Sequence, residues 1–492
     1  MNRKRRKEWA GALATCLVLA AVMLLFASQS SPLYPINDWV DANCLLTVGR
    51  VMRAGGVVYR DIYEQKGPTL YLLHALAACI SDSSFLGVYL MEVLSLTAAL
   101  FAAYRLFRLR SGRAWALGGA AAWGALILIS SAFCKGDSAE EFCLPLLMAA
   151  TAIAYAEYGR RGKPMRPAWL ALCGVLAGLI FTIKYTLLGA MLGLCLCEGV
   201  LALREGGLRR ALKSAGVFLA GMLVPILLWM IDLAANGALG DAVTAYLINN
   251  IFLYGDEALS IAEHLKEIAR YMLQNALWGV PAAVGMVMLL CDRGETRAVR
   301  LCMLAMALGQ SVTVLALGRV WRYSLLALAP FAVIGIMQAR RLALRAGCPK
   351  KSSLRGGLAL GVCALSLAAA WLWTPNAYLR GQKLENLAQG HLAAYVEPGA
   401  TLLQYSHLDD GLYLTTGALP QEKYFVRLNV QYDVMLDELD RYVREGIPDY
   451  VLVSWNELPA EFGNYQLIAV DAGYDDDNRL NKALYLYRRR SK

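Results

Sequence analysis

The chain has 492 residues, 58% hydrophobic and only 17% charged, with a mean hydropathy of +0.44; this excludes an ordinary soluble protein of that length and points to a membrane protein. The net charge of +10 would suit nucleic acid if it were spread evenly, but residues 1–374 hold 36 Lys and Arg against 21 Asp and Glu, while 375–492 hold 12 against 17. The order of those charges along the chain reports membrane topology, so no nucleic-acid partner is expected.

Eleven apolar runs, each about long enough to cross a hydrocarbon core of ~30 Å as a helix, are expected near 9–28, 84–104, 114–133, 142–157, 167–183, 186–203, 214–235, 272–290, 301–318, 323–338 and 356–373. The first follows the basic start MNRKRRK, as a secretory signal would. Its apolar part is long, however, and FASQSSP is a poor cleavage site, so it reads as a retained helix. With the N-terminus cytoplasmic, the start and the inside loops near 105–113, 158–166, 204–213, 291–300 and 339–355 hold 26 basic residues, and the outside segments before 375 hold ten. This asymmetry follows the positive-inside rule and puts residues 375–492 outside the cell.

Between the first two runs lies a long outer segment, 29–83. DANCLLTVGRVM at 41–52 has an apolar face at helical spacing, and GPTLYLLHALAACI at 67–80 is apolar but too short to span, so two helices lying along the membrane surface are expected. The turn between them carries Arg60, Asp61, Glu64 and Lys66. CKGDSAEEF at 134–142 then supplies Asp137, Glu140 and Glu141; the loop near 236–271 supplies Asp241, Asp256, Glu257, Glu263 and His264; and GRVWRY at 318–323 supplies Arg319 and Arg322. The outer face therefore mixes carboxylates and cations, whereas the inner face is basic. Ionisable groups at membrane depth are costly and mark a functional site, with carboxylates suited to general base or metal roles and Lys or Arg to phosphate. Most of the twelve cysteines lie in apolar runs as small hydrophobes; Cys134 and Cys143 flank an outer loop, but their spacing does not demand a bridge.

From 374 onward the composition changes to that of a small α/β domain. TLLQYS, KYFVRL, DYVLVS, YQLIAV and ALYLYR read as strands and VMLDELDRYVREG as an amphipathic helix ending at Gly446. DAGYDDDNR at 471–479 lacks EF-hand spacing and reads as an exposed acidic turn. The expected architecture is mainly α: a polytopic helical domain over 1–373, with surface helices in its first external loop, and an extracytoplasmic α/β domain over 374–492.

Asp41, Arg50 and Met52 in the spacing D-x8-R-x-M, followed by G-x-x-Y-R-D and then E-Q-K-G-P-x-L-Y, resemble the first external loop of membrane-embedded C-type glycosyltransferases, such as protein O-mannosyltransferases and aminoarabinose transferases. The resemblance covers about 1–340 in layout, and its specific motifs lie in 35–75, 134–142 and 318–330. It implies a sugar moved from a polyprenyl-phosphate donor to a cell-envelope glycan, lipid or protein acceptor on the outer face of the cell membrane. It also implies Asp41 as catalytic base, Asp137 as a second acid, Lys66 as a donor-phosphate contact and Arg322, in RYSLLALAP, as another. Ala42 stands where the family has a Glu, and Asp38 is the nearby carboxylate left for that role. Glu64, Glu140 and His264 are accessory or metal-ligand candidates for a divalent cation, Mg or Mn; no other cofactor is implied.

Each residue also has a plainer reading: Asp41 as a helix cap, Lys66 as a side chain reaching lipid head groups, Asp61 and Glu64 as surface partners of Arg60 and Lys66, His264 as a solvated loop residue, and His74 as a packed one. Lys184, between two apolar runs, is a weaker candidate for the lipid-phosphate path. The rival function is a transporter or flippase of lipid-linked saccharides, which would call for broken helices at the midplane and internal repeats.

Overall fold

The computed structural model describes residues 3–254, 260–316, 320–345, 352–475 and 477–490. Asp256, Glu257, Arg319 and, in the acidic turn of the tail, Asp476 lie outside the described residues. The chain is mainly helical. It runs through α1 (Arg3–Ala27), α2 (Val40–Arg53), α3 (Pro68–Ile80), α4 (Leu86–Arg108), α5 (Arg113–Leu128), α6 (Ala139–Arg161), α7 (Pro167–Lys184) and α8 (Gly189–Ala235). Then come α9 (Leu239–Ala242), a π-helical turn, α10 (Asn249–Phe252), α11 (Ile261–Gln274), α12 (Ala276–Cys291), α13 (Arg297–Ser311), a 3-10 stretch Arg322–Phe331, α14 (Ala332–Arg345) and α15 (Ser352–Leu372).

Among the described residues seven helices are long and apolar enough to cross a membrane, or eight if α11 and α12, bent by 96° against each other, form one span. The described residues of the eleven expected runs fall mainly on helical backbone, yet the counts differ for identifiable reasons. The runs at 186–203 and 214–235 share α8, and α5 and the Gly356–Leu372 part of α15 are short. Within α8 the backbone leaves helical geometry at Gly206 (φ −151°) and Gly207 (φ 65°). Ser214 and Glu198, equally far to either side of Gly206, join at 3.0 Å, so the two arms fold back on each other. Small residues let the arms pack closely on their neighbours: a Cβ on Gly174 would meet the Phe218 carbonyl at 2.1 Å, and one on Gly193 the Ala305 carbonyl at 2.1 Å. Close backbone approach of this kind drives helix association where burial of apolar surface cannot.

The segment between α1 and α4 forms α2 and α3, as expected, and they pack on each other because Gly49 has no Cβ; one placed there would lie 2.4 Å from the His74 carbonyl carbon. Gly67 likewise lets the start of α3 touch the end of α7, its amide donating to the Ile183 carbonyl at 3.0 Å. Residues 42–50 of α2 are all buried, because the C-terminal segment covers the side that α3 leaves open.

That segment carries α16 (Ala388–Ala393), α17 (Leu412–Thr416), α18 (Asp433–Glu445) and a sheet of β1 (Leu402–Gln404), β2 (Tyr450–Ser454), β3 (Tyr465–Tyr474) and β4 (Leu480–Arg489), in the order β1-β2-β4-β3. β1 and β2 are parallel and the other pairs antiparallel. Helix α18 stops where Gly446 takes the left-handed conformation (φ 66°), the usual helix C-terminal role of glycine. KYFVRL is the one expected strand that is absent. Tyr424, Phe425 and Val426 are buried, but the carbonyl of Lys423 accepts from the Tyr63 amide and that of Phe425 from the Gln404 amide, so the segment is tied down as an irregular strap between α2–α3 and the sheet.

Candidate active site

The turn before α3 supplies the centre of the site. Lys66 Nζ lies 2.9 Å from Asp41 Oδ1, on the first turn of α2, and 3.1 Å from Glu64 Oε1. Glu64 is fully buried, and its other oxygen accepts the Lys66 amide at 3.0 Å. The same amide lies 2.7 Å from the Tyr71 hydroxyl, and the Tyr59 hydroxyl donates to the Lys66 carbonyl at 2.6 Å, so the lysine is fixed at both ends. Burial alone would lower the Lys66 pKa, but the carboxylates of Asp41 and Glu64 more than offset it and hold the ammonium well above its usual range. The charged pair of the surface reading is instead Arg60 with Asp61, exposed and 2.7 Å apart.

A second group stands against the first. Asp137 Oδ1 is 2.8 Å from His74 Nε2, and His74 Nδ1 is 2.8 Å from the Leu70 carbonyl. A carbonyl only accepts, so Nδ1 carries a proton; Nε2 and Asp137 then share one more, and the pair is net neutral in either arrangement. Burial pushes the Asp137 carboxyl up and His74 pulls it partly back; burial also opposes charge on His74, which Asp137 more than offsets. The loop reaches this position by an unusual path, with positive φ at Cys134 (58°), Gly136 (91°) and Asp137 (67°). Two carboxylates hold it: the Asp137 amide donates to Glu92 Oε1 at 2.9 Å and to Glu141 Oε2 at 3.0 Å. Such backbone persists only where its surroundings over-determine it, and it clusters at functional sites. The charges of Asp41 and Lys66 reach Asp137, which makes the two groups one electrostatic unit.

Around them, Glu140 Oε1 binds Lys184 Nζ at 2.7 Å and accepts from Ser324 Oγ at 3.3 Å. The Tyr323 ring lies between the Lys184 ammonium (5.2 Å to its centroid) and the Trp39 ring (5.2 Å), joining this wall to the start of α2. Asp38 pairs with Lys135 at 2.7 Å and accepts from the Tyr378 hydroxyl at 2.7 Å, in a fully buried corner. Arg322 comes within 4.0 Å of Asp477 in the acidic turn of the tail and is 21% exposed.

The structure therefore brings together Asp41, Lys66, Glu64 and Asp137, sets Glu140 beside Lys184, and places Asp38 and Arg322 in ion pairs of their own. His264 lies elsewhere in the described hydrogen-bond network: its Nε2 is 2.7 Å from the Leu315 carbonyl, which ties α11 to the chain beyond α13. No group of three or more His, Cys, Asp or Glu among the described residues is arranged to hold a metal. Glu64, a ligand candidate, faces Asp41 with the Lys66 ammonium between them, so this pair does not fit a divalent cation. Cys134 and Cys143 are both buried and are not joined in a disulfide. His74, Glu92, Lys135 and Tyr323 were not expected at the site. Glu92 carried a signal, a carboxylate inside an apolar run; His74 carried none, because its partner is remote in sequence.

The polytopic helical body, its paired short helices and the small covering sheet make a fold that recurs in solved structures. Two solved structures of ArnT from Cupriavidus metallidurans share it: bound to undecaprenyl phosphate (TM-score 0.62) and in the apo state (0.63), each 14% identical over 97% of both chains. The arabinofuranosyltransferase AftD from Mycobacteria also shares it, with a TM-score of 0.53 and 16% identity; all of this chain aligns with 42% of that longer one. No family model and no curated protein matches by sequence.

Proposed function

We propose that this chain is a glycosyltransferase that moves a sugar from a polyprenyl-phosphate donor to an acceptor of the cell envelope, at the outer face of the cell membrane. The observation that carries the proposal is the Asp41, Lys66, Glu64 cluster, which sits on surface helices of a fold shared with an enzyme captured on undecaprenyl phosphate. In this reading the acceptor oxygen attacks the anomeric carbon while Asp41 takes its proton. The bond from that carbon to the phosphate oxygen breaks, and the electron pair leaves with the polyprenyl phosphate. The ammonium of Lys66 turns from Asp41 to the phosphate, which frees the base and stabilises the leaving charge in one movement. Attack opposite the leaving group inverts the anomeric centre. Asp137, through His74, holds the floor of the site, and Arg322 lines its rim as a second phosphate contact.

The same reading has eleven crossings, a cytoplasmic N-terminus, a transferase domain over 1–373 and an extracytoplasmic domain over 374–492. What supports it is the charge order of the loops and the tail segment lying on α2, above the cluster.

The test is purified protein with a set of polyprenyl-phosphate sugars. Asp41→Asn is expected to lower transfer by about 10²–10⁴-fold, the usual worth of a positioned base; undiminished transfer would sink the assignment. Lipid-linked sugar crossing liposomes without donor consumption would favour the transporter instead. Activity that survives chelation is expected from the lysine-filled cluster.

A further inference from the structure

The end of the bundle opposite the candidate site holds two joined cavities. One, of about 260 Å³, runs between α4 and α6 and is lined mainly by apolar and small side chains, among them Phe101, Ala149, Ala152 and Ile153. It leads to a second, of about 280 Å³, through shared Leu109, Ala156 and Arg160. Arg160 stands at the junction, Arg105 lines the first cavity, and Arg5 lines the second from α1. The other arginines of the second cavity are already neutralised: Arg108 binds Glu8 at 2.8 Å and Arg110 binds Glu295. Glu157, the carboxylate of the first cavity, is taken by both ends of the Arg166 guanidinium, at 2.9 and 2.5 Å. Arg5, Arg105 and Arg160 have no carboxylate partner among the described residues, although Arg5 and Arg160 lie within electrostatic reach of Arg105. Three like charges thus converge where an apolar groove opens.

Two tryptophans fix the level of this mouth. The Arg105 guanidinium lies 3.9 Å from the Trp9 ring centroid, which holds it in place without discharging it, and Trp169 lines the groove while 37% exposed. Tryptophans at this position sit where hydrocarbon meets head groups. Arg160 is separated from Glu140, at the other end of α6, by about 30 Å of helix, the thickness of a bilayer core.

We infer that this groove binds an anionic amphiphile, its phosphate held by Arg105, Arg160 and Arg5 and its apolar chain lying over Ala149, Ala152 and Ile153, in the leaflet opposite the candidate active site. General surface positivity does not account for it, because Arg105 and Arg160 line the same cavity as Phe101, Ala149, Ala152 and Ile153. The inference stands whether or not the glycosyltransferase reading does. Phospholipid and polyprenyl monophosphate share the recognised chemistry, a phosphate on an apolar chain.

Native mass spectrometry of the full-length detergent-purified chain tests it, with phosphatidylglycerol, phosphatidylcholine, undecaprenyl phosphate and inorganic phosphate as probes. Phosphatidylglycerol is expected to bind in preference to phosphatidylcholine, and the double variant R105Q/R160Q to bind it roughly thirtyfold more weakly. The control double variant K163Q/R293Q removes the same charge from exposed positions at the same end and should retain binding. A polyprenyl source shows instead as an equivalent of undecaprenyl phosphate lost in R105Q/R160Q and kept in the control. Ala152→Phe fills the groove with every arginine present, so it should abolish lipid binding even if the arginine variant proves unstable. Equal retention of phosphatidylcholine, identical behaviour of the two double variants, unchanged binding in Ala152→Phe, or inorganic phosphate binding as tightly as the lipids would each overturn the inference.

Discussion

Lys66 shows what one side chain does in a site built from carboxylates. It pairs with Asp41 and Glu64 at once and offsets one of their two negative charges, so its loss leaves two carboxylates facing each other without a cation. Lys66→Gln is therefore expected to cost about 3–5 kcal/mol of stability, the range for a broken buried pair, and to abolish transfer. The double variant Lys66→Gln, Glu64→Gln removes the surplus charge; thermal unfolding should recover while transfer stays lost. Recovery of transfer along with stability would remove Lys66 from the chemistry. Lys66 and Asp41 were legible in sequence because both lie in one short external segment next to apolar runs. His74 was not: it reads as one polar residue in LYLLH, and only folding brings Asp137 to its Nε2.

At the scale of elements, α2 is the part whose position decides the site, and the tail holds it. Thr47 Oγ donates to Asp409 at 2.7 Å, and Arg50 donates to the carbonyls of Tyr413, Gly417 and Ala418 at 3.0–3.1 Å. Arg50, part of the family-like spacing, thus serves as a strut to the tail in this chain. Asp409 is fully buried; burial pushes its carboxyl from 3.8 up to about 6, with Thr47, Gly411 and Gln404 opposing the shift. Its folded pKa lies above the unfolded one, so the folded state prefers the proton: the contribution to stability is present in full below about pH 4 and is lost as pH rises through about 6. Asp409→Asn mimics the protonated acid and keeps the acceptor oxygen. Relative to the native chain its thermal unfolding midpoint should gain between pH 4 and 7, by an amount on the order of 2–3 kcal/mol. Parallel pH profiles of the two proteins would place the titration elsewhere.

For the whole molecule, the charge order of the loops and the position of the tail over α2 put the sheet and the cluster on the same side. An impermeant maleimide should label a cysteine tag added after residue 492 in intact cells and fail to label one added before residue 1. Labelling of both, or of neither until lysis, would mean an even number of crossings. Removing residues 375–492 should uncover α2 and leave its buried polar groups, Thr47 and Arg50, without partners, so the truncated chain is expected to aggregate in place of acting as a smaller enzyme.

The sequence by itself determined the membrane class of the molecule, the helical runs, the two short helices between the first two runs, most strands of the tail and the neighbourhood of Asp41 and Lys66. All of these follow from local quantities: the length of an apolar run, the period of a pattern, the balance of charge in a short loop. Tertiary structure alone decided the rest. It folded α8 back at Gly206 and Gly207, turned KYFVRL from strand to strap, and set His74 and Glu92 against Asp137. Those outcomes depend on which distant group satisfies a buried donor, acceptor or charge, and a pairing between segments far apart in the chain leaves no period in either of them.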